Sequence, residues 1–221
     1  MKKLLAVGDS HLESLQAASD LGLLHSDEAV FCVVPGATAV GLRNPNSITN
    51  AISLFRVAAQ GRSKTHRVLI HLGEVDCGFV MWWRQEKYGE SIDLQLRESV
   101  AAYKEFVIEL MGMGFESVCI TGASLPTIRD GIDFGNVANK RSEIRVSLKE
   151  RTLLTLRYNS ALLEIALELG CAYFDLTEAF VDFRTGLVSD FFRHPDPCDH
   201  HLDPSKVVGV WALACNKNVL S

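Results

Sequence analysis

Apolar residues fall into five short runs along the chain: Leu4 to Gly8, Ala29 to Val34, Val68 to Gly73, Ser117 to Thr121 and Cys171 to Phe174. Runs of this length with no polar alternation predict strands buried on both faces. Between them the period changes. Leu96, Val100, Tyr103, Val107 and Leu110 step by four and three residues along one face of a helix that ends near Gly114. A second helix starts from a capping box, Ser147 with Glu150, runs through Leu154, Tyr158, Ala161, Ile165 and Leu169, and stops at Gly170. A final apolar helix starts near Pro204. Strands alternating with helices in this way predict an α/β fold, a parallel sheet covered on both faces by right-handed crossovers: a three-layer α/β/α sandwich.

Two stretches break the alternation, Gly78 to Asp93 and Leu125 to Arg145, and both read as long loops of the kind that usually carries function. Trp82, Trp83 and Tyr88 in the first either cover the sheet or stack on a ligand at a pocket mouth. Asn136, Asn139, Lys140, Arg141 and Arg145 in the second suit a polar or anionic substrate as well as a plain solvated face. No repeat, low-complexity tract or linker divides the 221 residues, so one domain over residues 1–221 is expected.

Composition narrows the function classes. Hydrophobic residues make up 48% and charged residues 22%, as in a globular chain and unlike a disordered one. Acidic residues outnumber basic ones by 27 to 22, for a net charge of −5, and no run of five Lys or Arg occurs, so no nucleic-acid partner is expected. No apolar run approaches the roughly 20 residues of a bilayer span, so no membrane partner is expected either. Met1-Lys2-Lys3 precedes only Leu4 to Val7, too short for the apolar core of a signal peptide, and a cytoplasmic location is expected. The six cysteines, Cys32, Cys77, Cys119, Cys171, Cys198 and Cys215, show no paired spacing and read mostly as reduced, buried thiols.

The candidate chemistry begins at Gly8-Asp9-Ser10, where the first strand hands over to the first helix, because ligands of open α/β sheets bind outside the carboxyl ends of strands. Two assignments compete for Ser10. It caps the helix, since Ser10 and Glu13 have capping-box spacing, or it is a nucleophile, which requires a histidine to take its proton and an acid to orient that histidine. Candidates for both partners lie in His194-Pro195-Asp196-Pro197-Cys198-Asp199-His200-His201-Leu202-Asp203, just before the last helix.

In its Gly8-Asp9-Ser10 block and its C-terminal Asp199-His200-His201-Leu202, the chain resembles the SGNH, or GDSL-type, hydrolase superfamily over nearly its whole length. The resemblance implies a flavodoxin-like fold with a five-stranded parallel sheet. It also implies that Ser10 is the nucleophile and His201, followed by Leu202, the base, with His200 in reserve. The family's acid usually stands three residues before the histidine, where this chain has Cys198; Asp199 is the preferred replacement, and a backbone carbonyl is the alternative. The family's second block places the amide of Gly36, together with that of Ser10, in the oxyanion hole. Its third block, Gly-x-Asn-Asp, appears here as Gly73-Glu74-Val75-Asp76, with Val75 where the family has an oxyanion-binding Asn. Losing such a donor costs about 3 to 4 kcal/mol of transition-state stabilisation, so a substitute donor or slow hydrolysis is expected.

Asp9, His11, Glu74, Asp76 and His200 complete the set of candidate pocket residues. Asp76 and Glu74 either face the pocket or tie down their loop, and His11 is expected in the first helical turn, partly solvated. His25, His66 and His71 read as surface or core residues. Cys198, Asp199, His200, His201 and Asp203 are all metal-ligand types, but adjacent histidines in an extended loop do not easily share an ion, and no metal or other cofactor is expected.

The expected activity is that of a serine-dependent esterase acting through an acyl-serine on a short-chain ester, acetyl foremost, of a small molecule or glycan. Two alternatives stand: an O-acetyltransferase acting on a carbohydrate or polysaccharide precursor, and a glycan-binding scaffold with little or no activity. The sequence leaves the oligomeric state open.

Overall fold

In a computed structural model that describes residues 2–131 and 144–221, the apolar runs become five parallel strands. They are β1 (Lys3–Gly8), β2 (Glu28–Val33), β3 (Arg67–His71), β4 (Val118–Thr121) and β5 (Ala172–Phe174), arranged β2-β1-β3-β4-β5. The chain leaves β1 toward one edge to make β2, then returns to the other side of β1 to make β3. That reversal is the topological switch point at which α/β proteins of this strand order bind ligands.

Alternate residues of the central strands face two separate cores. Leu5, Val7, Val68, Ile70, Val118 and Ile120 pack under α2 (Ala51–Ala59), α4 (Ile92–Gly112) and α5 (Leu148–Leu169), through Phe55, Tyr103, Phe106, Tyr158 and Leu162 among others. Leu4, Ala6, Leu69 and Cys119 pack on the opposite side under α1 (Glu13–Asp20) and α7 (Pro204–Asn218), through Leu15, Ala18, Val207 and Trp211. The three layers therefore follow from the period-2 geometry of strands that have helices on both sides.

The expected helix signals are present. The Ser147 hydroxyl accepts from the Glu150 amide at 3.2 Å, and the Glu150 carboxylate accepts from the Ser147 amide at 3.0 Å. Gly170 closes α5 at φ 68°.

The structure departs from the sequence expectations in three places. The strand β2 lies at the sheet edge and is only half-buried, and β5 at the other edge has only Phe174 fully buried. The stretch Gly78 to Asp93 is mostly helical: a π-helical turn over Asp76–Val80 runs straight into α3 (Met81–Tyr88), and α4 begins at Ile92. The continuous apolar run Phe79 to Trp83 concealed its helical period. A small hairpin, β6 (Val181–Asp182) with β7 (Leu187–Val188), follows the short α6 (Thr177–Phe180). Asn136, Asn139, Lys140 and Arg141 lie outside the described residues. Among the described residues, no helix is long and apolar enough to cross a membrane.

Candidate active site

At the end of β1 the Asp9 amide donates to the His71 carbonyl at 3.1 Å, and the chain turns into a short 3-10 helix over Ser10–Leu12. Asp9 caps that turn, its carboxylate accepting from the His11 amide at 2.9 Å. The capping assignment for Ser10 and Glu13 is therefore replaced: Asp9 is the cap, and the Ser10 hydroxyl points elsewhere.

It points at the loop before α7. Ser10 Oγ lies 2.8 Å from His201 Nε2, and His201 Nδ1 lies 2.7 Å from Asp199 Oδ1. The same carboxylate oxygen accepts from the His201 backbone amide at 2.8 Å. An Asp two residues before the His can therefore reach Nδ1 through a tight turn that satisfies amide and ring together. An ionised carboxylate only accepts, so the ring proton sits on Nδ1 and Nε2 accepts from the Ser10 hydroxyl.

Burial pushes the His201 imidazole below its ordinary value, the neighbouring His11 ring adds to the effect, and Asp199 opposes it. Burial alone would raise the Asp199 carboxyl, but the backbone amide and ring of His201 override it and hold Asp199 below the usual carboxylate range. The row is thus charged at Asp199 and neutral at His201 near neutral pH, the state in which Nε2 can take a proton.

His11 is buried rather than partly solvated. Its Nδ1 lies 3.1 Å from Asp9 Oδ1 and its Nε2 3.8 Å from Glu74 Oε2 and 3.4 Å from the His200 carbonyl oxygen. Its ring packs 4.7 Å from that of His201. Asp9 and Glu74 are buried as well, against the His11 ring and outside the cavity lining. Burial would raise the Asp9 carboxyl, but the ring, charge and amide of His11 outweigh it and hold it low.

Asp76 ties down the loop. Its carboxylate accepts from the amides of Ala39 and Val40 at 2.8 and 3.1 Å and from the Ser99 hydroxyl at 2.8 Å. Burial pushes this carboxyl up to about 6 against those hydrogen bonds. The loop so anchored begins with Val34-Pro35-Gly36-Ala37, where the Ala37 amide donates to the Val34 carbonyl at 3.0 Å and Gly36 has φ 73°. That is a type II turn, which needs a glycine at its third position, and its closing bond uses the amide of Ala37 rather than that of Gly36.

Ser10, Gly36, Val75, His200 and His201 open onto one cavity of about 930 Å³. Pro35, Val40, Ile48, Val75, Phe79 and Val80 give it an apolar side, while Thr38, Asn44, Asn46, Ser47 and Thr49 give it a polar one. The 38–49 segment went unnoticed in the sequence because a polar connection between a strand and a helix carries no local mark of what it faces. Trp82 and Trp83 stand apart from this lining: Trp82 Nε1 donates to the Cys77 carbonyl at 2.7 Å, and the Trp83 ring meets that of Tyr88 edge-on at 5.5 Å.

His71 sits in β3 directly below, with Nδ1 2.7 Å from Thr121 Oγ1 and Nε2 3.1 Å from Ser124 Oγ. Burial brings its imidazole down to about 4, so it is a neutral core residue.

No protein-family model matches this sequence, and no curated protein sequence matches it significantly. Solved structures do. A GDSL-like lipase from Bacteroides thetaiotaomicron superposes with a TM-score of 0.56 at 11% identity, covering 98% of this chain and 88% of that one. A variant of an acetyl-xylooligosaccharide esterase from Geobacillus gives 0.57 at 15% identity, covering 96% and 93%. An extracellular lipase from Streptomyces rimosus gives 0.53 at 14% identity, covering 99% and 100%. With this strand order and these full-length superpositions, the fold of the chain is that of the SGNH, or GDSL-type, hydrolase superfamily.

Proposed function

We propose that the protein is a serine esterase. The observation that carries this is the continuous hydrogen-bonded row Ser10, His201, Asp199, at 2.8 and 2.7 Å, opening onto the cavity. As the Ser10 oxygen forms a bond to the ester carbonyl carbon, its proton passes to His201 Nε2, and Asp199 stabilises the imidazolium through Nδ1. The oxyanion so formed is held by the amides of Ser10 and Gly36. His201 then returns the proton to the departing alkoxide, leaving acyl-Ser10. A water deprotonated by His201 attacks that ester, and the acid leaves with Ser10 restored.

The substrate class we infer is a short-chain ester, acetyl foremost, of a small molecule or a glycan. The polar face made by Thr38, Asn44, Asn46, Ser47 and Thr49 suits a hydroxyl-rich leaving group, and one of the similar structures is an acetyl-xylooligosaccharide esterase. A cavity of about 930 Å³ also exceeds what an acetyl ester fills, which favours acyl transfer to a bound sugar hydroxyl as the second reading.

The test compares wild type with Ser10→Ala on chromogenic acetyl and butyryl esters. Turnover by wild type and a loss of at least about a thousandfold in Ser10→Ala is the expected result. Equal rates in the two proteins would sink the proposal. Dependence of acetyl release on an added sugar acceptor would move it to the transferase.

A further inference from the structure

Two Asp-x-His units face each other across the site. In Asp9-Ser10-His11, Asp9 Oδ1 accepts from the His11 amide at 2.9 Å and lies 3.1 Å from its Nδ1. In Asp199-His200-His201, Asp199 Oδ1 does the same for His201 at 2.8 and 2.7 Å. Each carboxylate thereby holds its imidazole by Nδ1 and aims Nε2 to the far side of the ring. A carboxylate behind Nδ1 is the usual outer shell of a metal-ligating histidine.

The third ring completes a cluster. His200 lies 4.0 Å from the ring of His201 and 5.3 Å from that of His11, and one ring nitrogen of each of the three lies within 4.8 Å of the others. The turn closed by Asp199 brings the adjacent histidines together, whereas an extended loop would separate them. The buried Glu74 carboxylate stands outside this cluster, 3.8 Å from His11 Nε2. Asp9 Oδ2, on the carboxylate behind His11, is buried with no hydrogen-bond partner, so the carboxylate keeps acceptor capacity that a more positive His11, as on binding a cation, would draw on.

We propose that His11, His200 and His201 form a divalent transition-metal site, best matched to zinc, whose occupancy switches off Ser10. Three imidazoles make a zinc donor set that leaves the fourth position to water. Zinc–nitrogen bonds of about 2.0–2.1 Å put tetrahedral ligands roughly 3.3 Å apart, so the rings close inward by up to about 1.5 Å on binding. His200 and His201 sit on a half-buried loop that accommodates such a shift. Binding displaces any proton on the ligating nitrogens and exchanges the 3.4 Å contact of His11 Nε2 with the His200 carbonyl for a metal bond. His201 Nε2 has a single lone pair: committed to zinc it cannot accept the Ser10 proton, which stays on the hydroxyl. The inhibitory consequence rests on the esterase proposal, whereas the metal site does not.

The experiment measures zinc uptake directly, by competition with a chromophoric chelator, on EDTA-treated and dialysed wild type, Ser10→Ala, His200→Ala and His11→Gln. Wild type and Ser10→Ala are expected to take up one zinc per chain. Both histidine variants are expected to bind more weakly by more than the roughly 10- to 100-fold that losing an outer-shell partner costs. His11 is buried and its variant can misfold, so the half-buried His200 carries the decision. On a chromogenic ester, zinc is expected to suppress wild-type turnover and EDTA to restore it. No uptake by wild type, or uptake unchanged in His200→Ala, overturns the metal site. Uptake with turnover untouched overturns the inhibitory role. Uptake by a chain that turns over no ester leaves the metal site standing and counts against the esterase.

Discussion

Gly8 lies so close to His71 that a Cβ on it would come 2.2 Å from the His71 carbonyl oxygen. The same carbonyl accepts from the Asp9 amide, which fixes where β1 ends and therefore where Ser10 begins. The glycine of Gly8-Asp9-Ser10 is thus a requirement of strand packing at the switch point. Gly8→Ala is expected to force β1 away from β3 and to lower stability by about 1–3 kcal/mol, the usual range for overpacking a tight interior. Urea unfolding measures it, and a wild-type midpoint would show that the strands yield freely.

Asp199→Asn tests the proposed role of Asp199 as the acid that orients His201. An amide that turns its NH₂ toward Nδ1 leaves the ring proton on Nε2, facing a serine that needs an acceptor there. The expected loss in kcat is on the order of 10²- to 10⁴-fold with KM little changed. A kcat within a fewfold of wild type would assign the orientation of His201 to another group.

Asp76→Ala strands two donors at once, the amides of Ala39 and Val40, while the Ser99 hydroxyl keeps Tyr158 Oη at 3.1 Å. At about 1–3 kcal/mol for each buried donor left unsatisfied, the loss is at least about 2 kcal/mol. Asp76→Asn keeps an acceptor oxygen and buries no charge, so it is expected to cost clearly less. Chemical denaturation of the two variants side by side checks both the size and the order.

His71 ties stability to acid. Its imidazole is brought from 6.5 down to about 4 by burial. Between those values the unfolded chain binds a proton at His71 that the folded chain does not, so this contribution to stability rises with pH across the window and is lost as pH falls toward the lower value. It amounts to about 3 kcal/mol when converted at 1.36 kcal/mol per unit. Asp76, pushed up to about 6, acts in the opposite direction over the lower part of the window, so the readout is a difference between proteins. A urea series is expected to slope less upward with pH in His71→Gln than in wild type; parallel slopes would assign the acid sensitivity elsewhere.

Val75 lines the cavity, at the position where the resemblance to SGNH hydrolases implies an oxyanion-binding Asn. Val75→Asn is expected to raise kcat on the order of 10-fold or more, part of the 10²–10³ that such a donor is worth. An unchanged rate would mean that another group already supplies the third hydrogen bond.

Much of this molecule is legible before folding. The apolar runs of β1, β3 and β4, the capping box at Ser147, the stop at Gly170 and the start at Pro204 are local signals, because each depends on residues within a turn or two. Edge position is a different matter. Ala29 to Val34 reads like Val68 to Gly73, and only the order β2-β1-β3-β4-β5 leaves the former half-covered. Likewise the run Phe79 to Trp83 shows no helical period, because the helix it enters is apolar on more than one side.

Within the site, the sequence by itself determined the residue types and the preference for Asp199 as the acid, whereas the Asp-x-His turns at Asp9 and Asp199 emerged with the structure. It also placed Ser10 at a strand end and His201 ahead of the last helix. Only the tertiary structure decided that these two segments, 191 residues apart, meet at 2.8 Å. It alone decided that His11 turns inward between Asp9 and Glu74, and that Asp76 anchors the loop of Gly36 rather than facing the cavity. The physical reason is range: a capping bond or a turn is chosen by neighbours along the chain, whereas the partner of a buried side chain is chosen by whichever strand end or loop the packed sheet brings beside it.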